Sequence, residues 1–440
     1  MQIVGIVGPY VPHNMLTATF YSFHVLLAVS SLSFSADFSK NVSGSYRSEL
    51  NADGYWLELR VDIDPVSQFS EVLNMLSGDI FEGNCFKVSF MCEEIEVEER
   101  GQVKVLTGEA RFPTSEKQES MKCEVCISQS EDKYTANVKL MQEGQDELQF
   151  NCERHSSFFR KIHVEIDYDN ESFHDNLPTF NSRWHRGLKE KYGERQLDLF
   201  GLYKDAGVDL IWNTAKSDLV VDPTSSSEWE WTDMITVMKQ ERGDVHSAES
   251  RAMFEDGRNE WNIWLLLGDK YASTGMLGVM FDVGKGETTR NGTAVFVDSH
   301  GDLPSWEQFD RPQSTKEAVA LWNYLFTLVH EVGHTLNLPH SFFPSQYFNF
   351  IARPEALSFM NYPDNYQDKS RAKQGLRDFF TEFMFTFTRE ELVFIRHMSY
   401  DVVRPGMGKD GYGMSHSANN RTALTRFPSV ADQILDLKSA

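Results

Sequence analysis

Three histidines and one glutamate fall within the eleven residues 330–340, which read HEVGHTLNLPH. Residues four positions apart share one face of an α-helix, so His330 and His334 can bind one metal ion from a single helix. His340 can reach the same ion only after the helix has ended, because a continuing helix would carry it to the wrong side. Pro339 ends a helix at this point. A fold that uses all three histidines must therefore join a helix to a sharp turn.

The turn before the third histidine is predicted at Asn337. A turn of this kind needs a positive φ angle, which glycine adopts at the lowest cost and asparagine at the next lowest. Asn337 is therefore predicted to be a structural residue of the site that lets the chain bring a third ligand back to the helix.

Glu331 follows the first histidine and is rotated from it by about 100° around the helix axis. Its carboxylate is therefore predicted to stand beside a metal ion without binding it, where it can act as a general base. Three imidazole ligands with a fourth position open are typical of catalytic zinc. The opposing interpretation is a histidine-rich helix end whose imidazoles are packed in a core.

The stretch HEVGHTLNLPH resembles the long zinc signature of the metzincin clan of metallopeptidases, with Asn337 in place of the signature's glycine. The clan also has a methionine turn, and SFMNYP at 358–363 is similar to it. The resemblance implies that Met360 lies beneath the metal as an apolar floor, and that Tyr362 contacts the metal or the developing oxyanion. With its LELRVD and SGD stretches and a terminal IRH helix, the whole chain is similar to bacterial metzincin-like proteins that have a β-rich N-terminal region.

A rival zinc peptidase pattern takes a glutamate from a second helix as its third ligand. Glu355 is the candidate, but the residues around it lack the helical pattern, so His340 is favoured. Two other histidines, His300 and His397, have no ligand spacing and are predicted to be structural.

Residues 45–153 alternate apolar and polar side chains over short runs with polar or glycine-containing breaks. This pattern is typical of an antiparallel sandwich or barrel with one wet face. After residue 155 the order is strand, helix, strand, helix, three strands and a long capped helix. We therefore expect an α+β metzincin-like catalytic domain, with a mixed twisted sheet and a long zinc-binding helix, preceded by an all-β sandwich-like domain.

Four parts of the chain are predicted: an uncharged leader at 1–36, the sandwich-like domain at 37–155, the catalytic domain at 156–405 and a loose tail at 406–440. The leader contains no Lys, Arg, Asp or Glu. Its apolar run followed by small residues is typical of a signal peptide or of a buried strand. The leader slightly favours secretion, and it is too polar for a stable membrane span.

The formal net charge of −23 argues against a nucleic-acid partner, because phosphate binding needs a basic face. The expected partner is a peptide or protein substrate. A calcium ion is compatible with such a protein, but no residue pattern defines a calcium site. No residue pattern defines the oligomeric state either. Cys123 and Cys126 could be half of a zinc knuckle, but buried thiols or one or two disulfides are favoured.

The sequence thus predicts a zinc-dependent endopeptidase in which Glu331 is the general base for a metal-activated water. The alternative is a catalytically weak binding or adhesion protein on a metzincin scaffold. In the clan an edge strand pairs with extended substrate, and GMLGVMFD at 275–282 is the candidate here. Asp79 and Cys85 are candidates for blocking the zinc in a latent form, although a strand and turn explain the same residues.

Overall fold

The computed structural model describes residues 41–112, 120–130, 133–142, 147–169, 177–213, 221–223, 228–240, 261–272, 275–282, 290–301, 303, 312, 314–342 and 351–405. The predicted leader and tail lie outside these ranges. The described residues belong to one compact unit by their internal contacts. Within the described ranges, no helix is both long enough and apolar enough to cross a membrane.

Nine strands in the N-terminal part form one antiparallel sheet. They are β1 Gly44–Ser48, β2 Tyr55–Asp62, β3 Met75–Glu82, β4 Cys85–Cys92, β5 Ile95–Arg100, β6 Val103–Arg111, β7 Ser120–Ser130, β8 Lys133–Met141 and β9 Leu148–Ser156. The spatial order is β4-β3-β2-β1-β9-β8-β7-β6-β5. Met91 of β4 also pairs with Arg111 of β6, which closes eight strands into a continuous sheet and leaves β5 outside the closure.

The inward side chains of the closed sheet form an apolar core of their own. Leu57, Leu59 and Val61 of β2 are fully buried in it. Gly78 of β3 is required at its position, because a Cβ atom there would lie 2.4 Å from the ring of Phe90. The alternation in the sequence therefore records which side chains face inward along these strands.

Five later strands form a mixed sheet, and four more form two short pairs. The mixed sheet contains β10 Arg160–Tyr168, β13 Val208–Trp212, β14 Trp261–Gly268, β15 Gly278–Asp282 and β16 Arg290–Phe296, in the order β13-β10-β14-β16-β15. Strands β13, β10, β14 and β16 are parallel to one another. Strand β15 runs antiparallel to β16 at the edge of the sheet. The pairs are β11 Phe180–Asn181 with β12 Gln196–Leu197, and β17 Gln367–Asp368 with β18 Lys373–Gln374.

Seven α-helices occur in the described part of the chain. They are α1 Arg186–Tyr192, α2 Leu199–Asp205, α3 Trp231–Gln240, α4 Thr315–Thr335, α5 Gly375–Glu382, α6 Arg389–His397 and α7 Tyr400–Val403. Short 3-10 turns occur at Ser182–Trp184, Val297–His300 and Pro363–Asn365. Helix α4 has 21 residues and the others have ten or fewer, so one long helix stands among short ones.

Helix α4 begins at the N-cap residue Ser314 and runs through the core. The hydroxyl of Ser314 accepts a hydrogen bond from the N–H of Glu317 at 3.3 Å. Every residue from 318 to 335 is buried, as expected for a helix enclosed on all sides. Because α4 packs against β15 and β16, its C-terminal half lies beside the edge strand of the mixed sheet.

A buried polar network joins the outer face of β2 and β3 to helix α6. Asp62 accepts a hydrogen bond from Nη1 of Arg396 at 2.8 Å, and Asp79 pairs with Nη1 of Arg60 at 2.6 Å. These four side chains and His397 are at most 1 % exposed. Buried charges are tolerated only in such pairs, so removing one partner would leave an uncompensated charge in the core.

His397 lies in this network as a neutral imidazole. Burial lowers its pKa to about 4, although the hydrogen bond with Asp62 acts in the opposite direction. Nε2 donates to Asp62 at 3.3 Å, so Nδ1 accepts from the hydroxyl of Ser77 at 3.0 Å. Ser77 in turn accepts from Nε of Arg60 at 2.8 Å. His397 is therefore structural, as its lack of ligand spacing predicted.

The fold class expected from the sequence is wrong. In place of an all-β sandwich-like domain followed by an α+β metzincin-like catalytic domain, the described chain has a closed eight-stranded antiparallel sheet, a mixed sheet and seven helices, most of them short. Alternation shows which side chains face inward, but it does not show that Met91 and Arg111 meet. The outer face of β2 and β3 is not wet either, since Trp56 and Phe81 belong to the C-terminal apolar core. A short zinc motif does not specify the fold around it.

The contribution of His397 to the stability of the folded chain should fall as the pH decreases from 6.5 to about 4. The folded-state pKa of His397 is about 4 and its ordinary value is 6.5, so the unfolded chain binds more protons within this window and acid favours unfolding. His300, whose pKa burial also lowers to about 4, acts with the same sign.

The His397→Asn variant should be less stable at pH 7 and show a smaller pH slope of the urea unfolding midpoint. His155 is exposed, so His155→Asn should keep the wild-type slope; an unchanged slope in His397→Asn would contradict the assignment.

Candidate metal centre

The last turns of α4 present His330 and His334 on one face. Nδ1 of His330 donates a hydrogen bond to the carbonyl of Phe359 at 2.6 Å, and Nδ1 of His334 donates to the carbonyl of Leu338 at 2.7 Å. These bonds select the tautomer that carries its proton on Nδ1. Both Nε2 atoms therefore direct a lone pair away from the helix, as ligands of a metal ion do.

The chain reverses direction at Asn337, whose φ angle is 61°. The N–H of Asn337 donates to the carbonyl of His334 at 2.9 Å. Its side-chain Nδ2 donates to the carbonyls of Val402 at 2.8 Å and Arg404 at 3.1 Å. The asparagine therefore adopts the left-handed conformation that the turn requires and also ties the turn to the end of α7 and the residue that follows it.

The reversal brings His340 against the two helical histidines. The Nε2 atoms of His330 and His334 are 3.0 Å apart, and Nε2 of His340 lies 3.1 Å from the second and 3.2 Å from the first. All three side chains are at most 3 % exposed. Lone pairs aimed into one buried space repel each other unless they share a cation. Zinc–nitrogen bonds in a tetrahedral set place the nitrogens roughly 3.3 Å apart, so the triangle fits such an ion.

Glu331 follows His330 on α4, and its charge acts on the phenol of Tyr362, the residue whose ring packs against His340. The backbone N–H of Met280 in β15 donates to the carboxylate of Glu331. Burial raises the pKa of Glu331 to about 8, and the hydrogen bond from Met280 acts in the opposite direction. A Cβ atom at Gly278 would lie 2.7 Å from Cγ of Glu331 and 2.7 Å from Cγ2 of Thr327. Strand β15 can therefore approach the carboxylate only because residue 278 has no side chain.

Met360 and Tyr362 both lie at the site. A Cβ atom at Gly333 would come within 2.6 Å of Sδ of Met360, which is fully buried against this side of α4. The ring centre of Tyr362 is 4.3 Å from that of His340 and 5.5 Å from that of His330. Burial raises the pKa of Tyr362, so its phenol stays protonated and can donate a hydrogen bond.

Other candidate residues are not part of this group. Glu355 is exposed, so the rival third ligand does not lie with the histidines. His300 is buried elsewhere, where its Nδ1 donates to the carbonyl of Phe296 at 2.8 Å. Asp79 belongs to the buried network of β2 and β3, and Cys85 is an exposed free thiol. Neither candidate for latency therefore lies in the three-histidine group.

The sequence pattern did not predict Gly278 and Met280 as residues that position the acid. An isolated glycine inside a strand pattern was the available signal, since it often marks a close approach of the backbone to another group. Nothing in the pattern could identify Met280, because it acts through its backbone N–H.

Comparisons of the chain with protein-family models, with curated proteins and with solved structures find no match. The site itself defines the class of protein: one with a buried group of three histidines that can hold a metal ion. In the described part of the chain, no other group of His, Cys, Asp or Glu side chains converges in this way.

The two roles of Asn337 can be separated by substitution. Asn337→Gly keeps the positive φ accessible but loses two hydrogen bonds, which should lower the free energy of unfolding by about 1–2 kcal/mol. Asn337→Ala loses the same bonds and also places a β-carbon in the left-handed region, at a further cost of about 1–2 kcal/mol. Urea unfolding with chelator present should rank the stabilities as wild type, Gly variant, Ala variant. A Gly variant as stable as wild type would exclude the anchoring role.

Proposed function

We propose that this protein is a zinc-dependent endopeptidase that hydrolyses peptide bonds in extended polypeptide segments. The observation that carries the proposal is an acid placed beside a metal-binding triangle but held by a different element. Glu331 follows the first histidine of α4, and β15 holds its carboxylate through the N–H of Met280. This arrangement supplies a general base next to a Lewis-acid site, which is what amide hydrolysis by a metal requires.

Zinc is the proposed metal, because three neutral imidazoles with an open fourth position are its usual catalytic ligand set. His330, His334 and His340 would hold it. When bound, zinc supplies a Lewis acid that polarises a carbonyl group and lowers the pKa of water. The carbonyls of Phe359 and Leu338 orient two of the imidazoles before the metal arrives, which reduces the cost of assembling the site.

Glu331 carries out the proton transfers in the proposed reaction. Its carboxylate accepts a proton from the attacking water and then delivers that proton to the nitrogen of the leaving amine. The Met280 N–H holds the carboxylate in place without adding a charge. The phenol of Tyr362 donates a hydrogen bond to the oxyanion that develops on the scissile carbonyl.

The proposed substrate is an extended chain that pairs with the edge of β15. Among the described strands, only β16 pairs with β15. An edge strand binds an extended chain through main-chain hydrogen bonds, and this mode depends little on side-chain identity. Because Gly278 and Met280 of the same strand contact Glu331, a chain paired there would pass close to the acid.

The Glu331→Gln variant should retain one zinc ion per chain and lose proteolysis. The amide keeps the size of the side chain but cannot accept the proton, so kcat/KM for unfolded casein should fall by about 10²–10⁴-fold. Zinc content is measured by atomic absorption, and cleavage by peptide release with and without chelator. Glu190 on α1 is exposed, so Glu190→Gln serves as the control and should be fully active.

Two results would contradict the proposal. A Glu331→Gln variant with full activity would exclude the acid as the general base. A wild-type protein that binds zinc but cleaves no unfolded chain would contradict the peptidase assignment and favour a metal-containing binding protein. His334→Ala should lose both zinc and activity, which separates failure to bind the metal from failure of the chemistry.

The Gly278→Ala variant should lose activity while keeping its zinc. The added methyl group would meet Cγ of Glu331 at 2.7 Å, so the carboxylate or the strand must move. A displacement of about 1 Å at a reacting group can lower the rate about 10²-fold. Zinc content and the urea unfolding midpoint are measured beside kcat/KM. Wild-type activity in this variant would show that the spacing between β15 and the acid is not critical.

A further inference from the structure

One buried carboxylate connects two of the loops around the three-histidine group. Glu391, in the first turn of α6, is 0 % exposed. Its Oε1 accepts a hydrogen bond from Oγ of Ser341 at 2.7 Å. Its Oε2 accepts one hydrogen bond from Oγ of Ser358 and a second from the N–H of Thr388, the latter at 2.9 Å. Only the bond from Thr388 belongs to the capping box of the helix. The two serine bonds reach outwards to separate loops.

The first of these bonds fixes the backbone that carries His340. Ser341 follows that histidine directly and is 2 % exposed. Its N–H donates to the carbonyl of Met360 at 2.9 Å, and its carbonyl accepts from the N–H of Arg353 at 2.7 Å. Because its hydroxyl is bound to Glu391, every polar group of Ser341 forms a hydrogen bond. These bonds fix the backbone next to His340 and therefore the direction of the His340 side chain.

The second bond fixes the group that orients His330. Oγ of Ser358 accepts a hydrogen bond from the N–H of Met360 at 2.9 Å, which shapes the turn between them. The carbonyl of Phe359 lies within that turn and accepts the Nδ1 proton of His330 at 2.6 Å. A shift of Ser358 would therefore move the acceptor that sets the tautomer and the ring plane of this histidine.

His334 is positioned without Glu391, because its Nδ1 donates to the carbonyl of Leu338 within its own turn. The two histidines that depend on distant loops are the two that Glu391 reaches. A carboxylate suits this task, since its two oxygens accept several hydrogen bonds and donate none. Nη2 of Arg353 lies 3.5 Å from Oε1 and compensates the buried charge.

We propose that Glu391 is a positioning residue of the metal centre, which sets His330 and His340 against the helix-held His334. The inference rests on the metal-binding part of the proposed function and does not depend on peptide hydrolysis. The capping box that Glu391 forms with Thr388 accounts only for the local role of this glutamate in helix α6.

Zinc affinity, measured by competition with a chromophoric chelator, tests the assignment. Glu391→Ala should weaken zinc binding about 10–100-fold, as loss of an outer partner of metal ligands does. Ser341→Ala and Ser358→Ala each remove one of the two serine hydrogen bonds to Glu391 and should weaken zinc binding less. Glu391→Gln keeps one acceptor oxygen and should restore part of the affinity. In the cobalt(II)-substituted protein, the visible absorption bands should shift in the same variants, because the ligand geometry changes.

Thr388→Ala is the matched control. It removes the hydroxyl that accepts from the N–H of Glu391 at 3.4 Å and from Nη1 of Arg353 at 2.7 Å. Both serine hydroxyls remain, and Arg353 keeps Glu390 and Glu391 as ion-pair partners. The urea unfolding midpoint should fall in this variant, because a helix cap is lost. Its zinc affinity and its cobalt spectrum should remain those of wild type, which separates a general loss of stability from a change at the metal centre.

The serine variants decide the question if Glu391→Ala does not fold, since each deletes a single hydroxyl. Wild-type zinc affinity and wild-type cobalt spectra in both Ser341→Ala and Ser358→Ala would overturn the role of Glu391 while leaving the zinc site intact. A wild-type protein that binds no zinc would overturn the positioning role and the proposed function together.

Discussion

The reversal of the chain at Asn337 is the constraint on which the metal centre depends. A helix can aim two histidines at one point, but the third must come from chain that has turned back. The turn requires a left-handed residue, which costs about 1–2 kcal/mol for any side chain with a β-carbon. Two hydrogen bonds from the Asn337 amide offset this cost, and the nearer acceptor, Val402, lies 65 residues further along the chain. The local geometry of the site is therefore maintained by a distant segment.

The acid and the ligands are held by different parts of the fold. Carbonyls in the loops around α4 orient His330 and His334, whereas the edge strand β15 holds Glu331. The position of Glu331 relative to the three histidines consequently depends on the packing of α4 on β15, and Gly278 determines how close that packing can be. Small changes in this contact would move the carboxylate of Glu331 without disturbing the three histidines.

The local chemistry could be predicted from the sequence, and the long-range arrangement could not. Spacing and turn preferences predicted the helix that ends near residue 335, the positive φ of Asn337 and the approach of His340. The same patterns treat Arg60 and Asp62 as solvent-facing residues of an outer strand face. Both are buried, because their partners come from elsewhere; Asp62 pairs with Arg396, 334 residues away. The alternation of apolar and polar residues shows only which side chains are polar. It cannot distinguish a polar side chain in a buried ion pair from one that faces solvent.

Helix α6 links the metal loops to the closed sheet. Glu391 lies in its first turn, and Arg396 and His397 lie in its last. A nine-residue helix is about 13 Å long and too short to curve appreciably, so its two ends move as one body. The helix thus connects the N-terminal sheet at its C-terminal end with the loops that carry Ser341 and Ser358 at its N-terminal end. A chain without that sheet would lack Asp62, the partner of Arg396 and His397, and with it the support at one end of the helix.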